Sequence, residues 1–73
     1  MNEIPQIEWE QYVAVMDMET RIRKGLKPDD GGKAWRIARD LRDKYGSYEL
    51  ELRYTESLNQ LKEEEPELYE ELT

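Results

Sequence analysis

The chain has 73 residues, enough for one small domain with a thin core, and 40% of them are charged, giving a net charge of −7. It contains neither cysteine nor histidine, which excludes disulfides, thiol nucleophiles, imidazole bases and nearly every structural zinc site. No run of about 18 apolar residues occurs, so no membrane span is predicted. The N-terminus lacks the basic and apolar regions of a signal peptide, and we therefore expect a cytoplasmic protein.

The first predicted helix covers residues 6–24. Its apolar residues recur with the spacing of one helical face: Trp9, Val13 and Met16. Gly25 follows as a suitable C′ residue, a position where a positive φ is favoured. Val15 and Met18 do not fit the same stripe, and a strand over residues 12–18 therefore stays an alternative.

A loop over residues 26–32 precedes the second predicted helix. It is rich in turn residues, and Asp29 or Asp30 is placed to cap the helix that follows. This second helix has the clearest pattern, because its apolar residues share one face while most charges lie on the other: Ala34, Ala38, Leu41 and Tyr45. Gly46 ends it, and Ser47 is predicted to cap the third helix.

Residues 48–55 have two interpretations. They alternate between apolar and charged residues, as a half-buried strand does. Over a longer window a helical stripe emerges, and helix-forming residues follow it: Leu50, Tyr54, Leu58 and Leu61. The pattern favours a third helix and leaves open a two-stranded element built from residues 12–18 and 48–54.

The chain ends in an acidic tail, residues 63–73. Pro66 interrupts the preceding helix and opens a short helical turn, whose apolar residues either dock on the rest of the chain or fray. These elements predict a mostly α fold: a single small domain over residues 1–73, with three helices and a short C-terminal helical turn. The alternative is an α+β fold with the two-stranded element.

Two segments resemble ligand-binding motifs, but neither has all the residues that its motif requires. The segment Gly31-Gly32-Lys33 lacks the phosphate-loop partners, because Lys27 stands where a glycine is required and Ala34 where a Ser or Thr is required. Asp29 and Asp40 have the end-to-end spacing of a calcium loop, but the positions between them lack its ligands. We therefore predict no catalytic residue, no metal and no cofactor, and a protein that acts by contact and is not an enzyme.

A helix-turn-helix DNA reader is also disfavoured. Its second helix would enter the major groove of DNA. Here that helix carries three glutamates and one arginine, and the DNA phosphates would repel it: Glu49, Glu51, Glu56 and Arg53. The sequence therefore predicts no direct sequence-specific DNA binding.

The charges fall into three blocks. Residues 1–20 carry −5, residues 21–46 carry +5 and residues 47–73 carry −7. The blocks either neutralise one another or present charged faces to a partner. All aromatic residues are Trp or Tyr, whose polar groups suit binding surfaces with a rim in contact with water. The candidate partner-binding residues are two tyrosines and the Trp and arginines of the second helix: Tyr48, Tyr54, Trp35, Arg36, Arg39 and Arg42.

From Met1-Asn2-Glu3-Ile4-Pro5 to Glu70-Glu71-Leu72-Thr73, the chain resembles in length and layout the small lytic-phage transcription regulators that bind host RNA polymerase. The resemblance implies binding to the two largest polymerase subunits near the RNA exit channel. It further implies displacement of the sigma factor, inhibition of initiation, and antitermination.

An alternative function belongs to a different class. The acidic segments 63–65 and 67–71 would imitate nucleic-acid phosphates and occupy a DNA-binding protein, a nuclease or a CRISPR effector. A toxin-neutralising or structural subunit is a third interpretation that the residues leave open.

Overall fold

Four helices follow one another in the computed structural model, which describes residues 3–73. They are α1 (Gln6–Arg23), α2 (Lys33–Tyr45), α3 (Ser47–Glu64) and α4 (Pro66–Glu71). Within residues 3–73 there is no strand, so the predicted mostly α fold is confirmed and the two-stranded alternative is wrong. Met1 and Asn2, with which the phage resemblance begins, lie outside the described residues.

The end of α1 confirms the predicted role of Gly25. Its φ is +78°, and its N–H donates to the Ile22 carbonyl at 3.1 Å. The next N–H, that of Leu26, donates to the Arg21 carbonyl at 2.8 Å. This is the Schellman pattern, and it satisfies carbonyl groups that the helix end would otherwise leave without donors.

The Asp30 side chain accepts hydrogen bonds at the start of α2, so one of the two predicted capping residues contacts the helix end. Its Oδ2 accepts from the Ala34 N–H at 2.9 Å, and its Oδ1 accepts from the Gly32 N–H at 3.0 Å. The bond from Ala34 is the main reason that the pKa of Asp30 lies below its ordinary value. The backbone cap position itself is Gly32, so the Asp30 side chain reaches the helix end from two residues upstream.

The prediction that Ser47 caps α3 is wrong. Gly46 is the only residue between α2 and α3, and it occupies the cap position with a φ of +95°. Ser47 is already the first helical residue, and no side chain caps α3. A capping side chain needs a non-helical backbone, which a one-residue connection leaves only to Gly46.

The buried core comes from α1, α2 and α3: Tyr12, Ala38, Leu41, Leu50 and Tyr54. The Tyr12 and Tyr54 rings meet edge to face with centroids 6.1 Å apart. Trp9 stacks on the outer side of Tyr12 at 6.0 Å and, like Val13 and Met16, lies at the core edge. Tyr12 is therefore the α1 residue around which the helices pack.

The short α4 turns back from the end of α3. Glu65 alone connects the two helices, and Pro66 opens α4 as predicted. Leu72, just after α4, is buried with 6% of its surface exposed. None of the helices within residues 3–73 has a stretch long and apolar enough to cross a bilayer.

Candidate partner-binding surfaces

The outward face of α2 brings three of the predicted partner-binding residues together. Trp35 is 48% exposed, and the Arg39 guanidinium lies over its ring, 5.1 Å from the centroid. Arg36 is exposed and donates from Nη2 to the Gly31 carbonyl at 2.7 Å. We call Trp35, Arg36 and Arg39 the Trp35 patch.

The patch is fixed by the way α2 packs. Ala34, Ala38 and Leu41 bury one face of α2, which turns the intervening residues outward. The loop bond from Arg36 and the stack of Arg39 on Trp35 restrain two side chains that would otherwise be flexible. A positively charged aromatic surface that is already ordered loses less conformational entropy when it binds.

Acidic residues of α2 only weakly offset the charge of this patch. Arg39 and Asp40 form an ion pair at 3.8 Å, but both side chains are more than half exposed. Exposed ion pairs at this distance contribute little, because water screens them. The N-terminal half of the outward face therefore stays cationic, with Lys33 also exposed beside it.

Two predicted residues, Arg42 and Tyr54, point inward. The half-buried Arg42 donates from Nε to the Tyr12 hydroxyl at 3.2 Å, and its Nη2 lies 3.4 Å from the Met16 sulfur. Tyr54 is only 8% exposed and donates its hydroxyl to Asp17 at 3.0 Å. Both side chains bind residues of α1, so they lie apart from the outward surface that was predicted to include them.

Tyr48 is exposed, but it belongs to a different helix from the patch. It lies at the start of α3 with 74% of its surface in solvent. Leu52, one turn further along α3, is also exposed. Isolated apolar residues on a surface are common in folded proteins, so Tyr48 stands as a separate candidate.

Asp17 is a partly buried acid that the sequence reasoning missed. Burial raises its pKa, while the hydrogen bond from Tyr54 and the charge of Arg21 act in the opposite direction. Burial also raises the pKa of Tyr54. The spacing contained a signal, because Asp17 lies four residues after Val13 on the inward side of α1.

Arg53 and Trp9 form a second cation–aromatic contact. The Arg53 guanidinium lies 4.4 Å from the centroid of the Trp9 ring, which connects α3 to α1. In the sequence, Arg53 stands out only as the one arginine of a helix too acidic to enter the major groove of DNA. Its place over Trp9 gives it a packing role at the edge of the core.

A cavity of about 190 Å³ lies where α1, α3 and α4 meet. Most of its lining is aliphatic, with one acid and two hydroxyl groups on the remaining wall: Val13, Leu58, Leu61, Leu68, Leu72, Asp17, Tyr54 and Ser57. Two polar contacts tie α4 to α1 beside it. Arg21 pairs with Glu71 at 3.4 Å, and Lys24 Nζ donates to the Glu70 carbonyl at 2.6 Å.

An acidic corner surrounds the connection between α3 and α4. We define it by five exposed carboxylates: Glu63, Glu64, Glu65, Glu67 and Glu70. None of the five forms an ion pair with another residue in the described part of the chain. The same residues 3–73 hold no cluster of three or more metal-ligating side chains. Negative charge at this corner is therefore left facing solvent.

Comparison with known proteins supplies no relative. The chain matches no family model, no curated protein and no solved structure. What the surfaces do must therefore be argued from their own chemistry.

Proposed function

We propose that this chain is a phage-encoded regulator that binds bacterial RNA polymerase in the host cytoplasm. In this proposal it contacts the two largest subunits near the RNA exit channel, displaces the sigma factor to inhibit initiation, and acts as an antiterminator. The observation that carries the proposal is the Trp35 patch. The resemblance in length and layout supplies the identity of the partner.

Trp and Arg dominate the binding energy of protein interfaces when they are placed centrally. A domain of this size can supply the roughly 800 Å² per partner of a standard interface. The area buried in such an interface does not need to exceed the area that the sigma factor buries on polymerase. The interface shifts the equilibrium when it occupies a site that sigma requires, because the two bound states then exclude each other. Charge complementarity makes an acidic polymerase surface the expected partner of the patch.

The test is co-purification with bacterial RNA polymerase, followed by transcription from a sigma-dependent promoter. The variant Trp35→Ala/Arg39→Glu is expected to lose polymerase binding by at least about tenfold, since truncating a central Trp and reversing a contact charge removes hot-spot energy. The control Ile7→Ala/Lys62→Glu makes the same types of change on α1 and α3 and should bind normally. Absence of the polymerase at low salt, or equal binding by both variants, would refute the proposal.

The acidic corner favours a second candidate function, imitation of nucleic-acid phosphates. Five exposed carboxylates that form no ion pair within residues 3–73 give a concentrated negative surface. Reversing them to lysine should abolish binding to a DNA-binding protein, a nuclease or a CRISPR effector. The same variant should retain polymerase binding through the Trp35 patch, and this difference distinguishes the two functions.

A further inference from the structure

The cavity beneath α4 shows that this helix fills its groove incompletely. Val13 on α1 and Leu58 and Leu61 on α3 form the walls, and we call the space between them the α4 groove. Leu68 of α4 and Leu72 just after it enter this groove, yet about 190 Å³ remains. Because this space is half open to solvent, the side chains that border it contact water where a larger occupant would supply packing atoms, so α4 gains less from the groove than such an occupant would.

The attachment of α4 is also weak. A six-residue helix is not stable alone, because helix nucleation costs more than so few hydrogen bonds return. The ion pair of Glu71 with Arg21 is partly exposed, and exposed pairs contribute little. The α4 segment is held by two leucines, the Lys24 bond, the Lys62 ammonium 5.7 Å from the centroid of the Tyr69 ring, and its covalent connection to α3.

The residues of α4 indicate what kind of helix would bind the α4 groove more tightly than α4 does. The groove accepts leucines at i and i+4, and Arg21 and Lys24 stand at the end where the carboxylates of α4 lie. We propose that α4 can be displaced from the α4 groove, and that the ligand which displaces it is an amphipathic helix of another protein. That helix carries large apolar residues at i and i+4, one of them bulkier than leucine, and carboxylates in its last turn.

Displacement is a competition between a tethered and a free helix. The tether gives α4 an effective concentration in the millimolar range, about what a short linker provides. A partner helix overcomes this by being longer than six residues and by filling the cavity, since helix-in-groove binding gains from each buried anchor. This inference does not depend on the polymerase proposal, because the groove and the Trp35 patch lie on different helices.

The probe is a synthetic peptide of residues 62–73 that carries Leu68→Phe. It is titrated into the isotope-labelled full-length chain while amide NMR shifts are followed. In the variant Glu71→Lys, the tethered α4 is repelled by Arg21, whereas the peptide keeps its own glutamates. We expect shifts at Val13, Leu58 and Leu61, with an apparent Kd about threefold lower for the variant than for the unmodified chain, the size that a partly exposed ion pair allows.

Two controls isolate the groove. Glu63→Lys makes the same charge change outside α4 and should bind the peptide as the unmodified chain does. A peptide of residues 62–73 that carries Leu68→Ser and Leu72→Ser should cause no shift. Equal affinity of the unmodified and Glu71→Lys chains would overturn the proposal. So would a Glu71→Lys chain that dimerises and ignores the peptide, because the occupant would then be a second copy.

A second variant tests the unfilled volume without opening the groove. Leu68→Phe in the full-length chain should raise the melting temperature, because the ring fills the cavity and holds α4 more firmly. The same change should weaken binding of the peptide. A lower melting temperature would mean that the cavity cannot take a larger residue, and the proposed ligand chemistry would be wrong.

Discussion

Asp17 and Tyr54 connect α1 to α3 at the level of single residues. The Tyr54 hydroxyl donates to Asp17 at 3.0 Å, yet burial outweighs this bond and raises the Asp17 pKa above 3.8, its ordinary value. The folded state therefore binds the Asp17 proton more tightly than the unfolded state does. Ionisation of Asp17 costs stability as pH rises from 3.8 through the folded pKa, and the full cost persists above it.

The variant Asp17→Asn isolates this effect. Asn keeps an oxygen that accepts from Tyr54 but carries no charge to desolvate. We expect a larger free energy of unfolding than that of the unmodified chain at pH 7, with the difference disappearing below about pH 3.8. Urea unfolding over a pH series measures this, with the exposed Asp43→Asn as control. A less stable Asp17→Asn at pH 7 would contradict the argument.

Glu8 has the opposite effect on the pH dependence of stability, because its pKa is lowered while that of Asp17 is raised. The hydrogen bond from Lys44, at 3.1 Å, lowers the pKa of Glu8. Its stabilising contribution is present above the ordinary pKa of 4.5 and is lost as pH falls through the lowered value. The pH profile of the unmodified chain therefore contains both trends, and only the single-variant difference reports on Asp17.

The helix ends show how interactions between nearby residues determine where each helix begins and ends. Gly25 follows α1 in the left-handed region, and the Asp30 side chain, two residues before the cap position of α2, accepts two backbone N–H groups. The start of α3 has no side-chain cap. Helix α3 is therefore stabilised mostly by its packing face, as is usual for helices in folded proteins.

Gly25→Ala tests the end of α1. A Cβ at this position would meet no atom within 4 Å, so the only penalty is the φ of +78°. That conformation costs an L-residue about 1–2 kcal/mol, and we expect unfolding free energy to fall by this amount. Gly25→Asn should lose less, because asparagine tolerates the left-handed region. Equal stability of the alanine variant in urea unfolding would show that the helix end is not held in this way.

At the scale of the whole molecule, stability rests on a small shared core. The fully buried residues come from three helices and centre on Tyr12 and Leu50, which are both 0% exposed. A domain of this size has a net stability of roughly 3–5 kcal/mol. Each buried side chain therefore supplies a large fraction of the total.

Leu50→Ala should bring the chain close to unfolding. Removing a buried leucine costs about 2–5 kcal/mol, which is comparable to the whole stability. Leu52→Ala removes the same side chain from a site two residues away that is 44% exposed, and it should leave the fold intact. Circular dichroism at 25 °C, with thermal melts, separates the two outcomes. A fully folded Leu50→Ala would show that the core lies elsewhere.

The sequence by itself determined the helices and most of their limits. The spacing of Ala34, Ala38 and Leu41, the glycine after α1 and the aspartate before α2 act over a few residues, and such signals can be read locally. The same spacing placed Arg36 and Arg39 on the outward face, whereas Trp35 lay at the edge of the apolar face in the sequence and is 48% exposed in the structure. Helix α3 was ambiguous in the sequence because apolar and charged residues alternate there as they do in a strand. The burial of Leu50 and Tyr54, one helical turn apart, shows that the segment packs as a helix.

Only the tertiary structure decided which side chains meet between helices. Arg42 and Tyr54 turn inward because Tyr12 and Asp17 of α1 lie opposite them, more than 25 residues away in the chain. The α4 groove likewise combines residues of three helices. Helix periodicity defines the faces of one helix, but the angle at which two helices pack depends on the shapes of both surfaces, which are not encoded in any single segment.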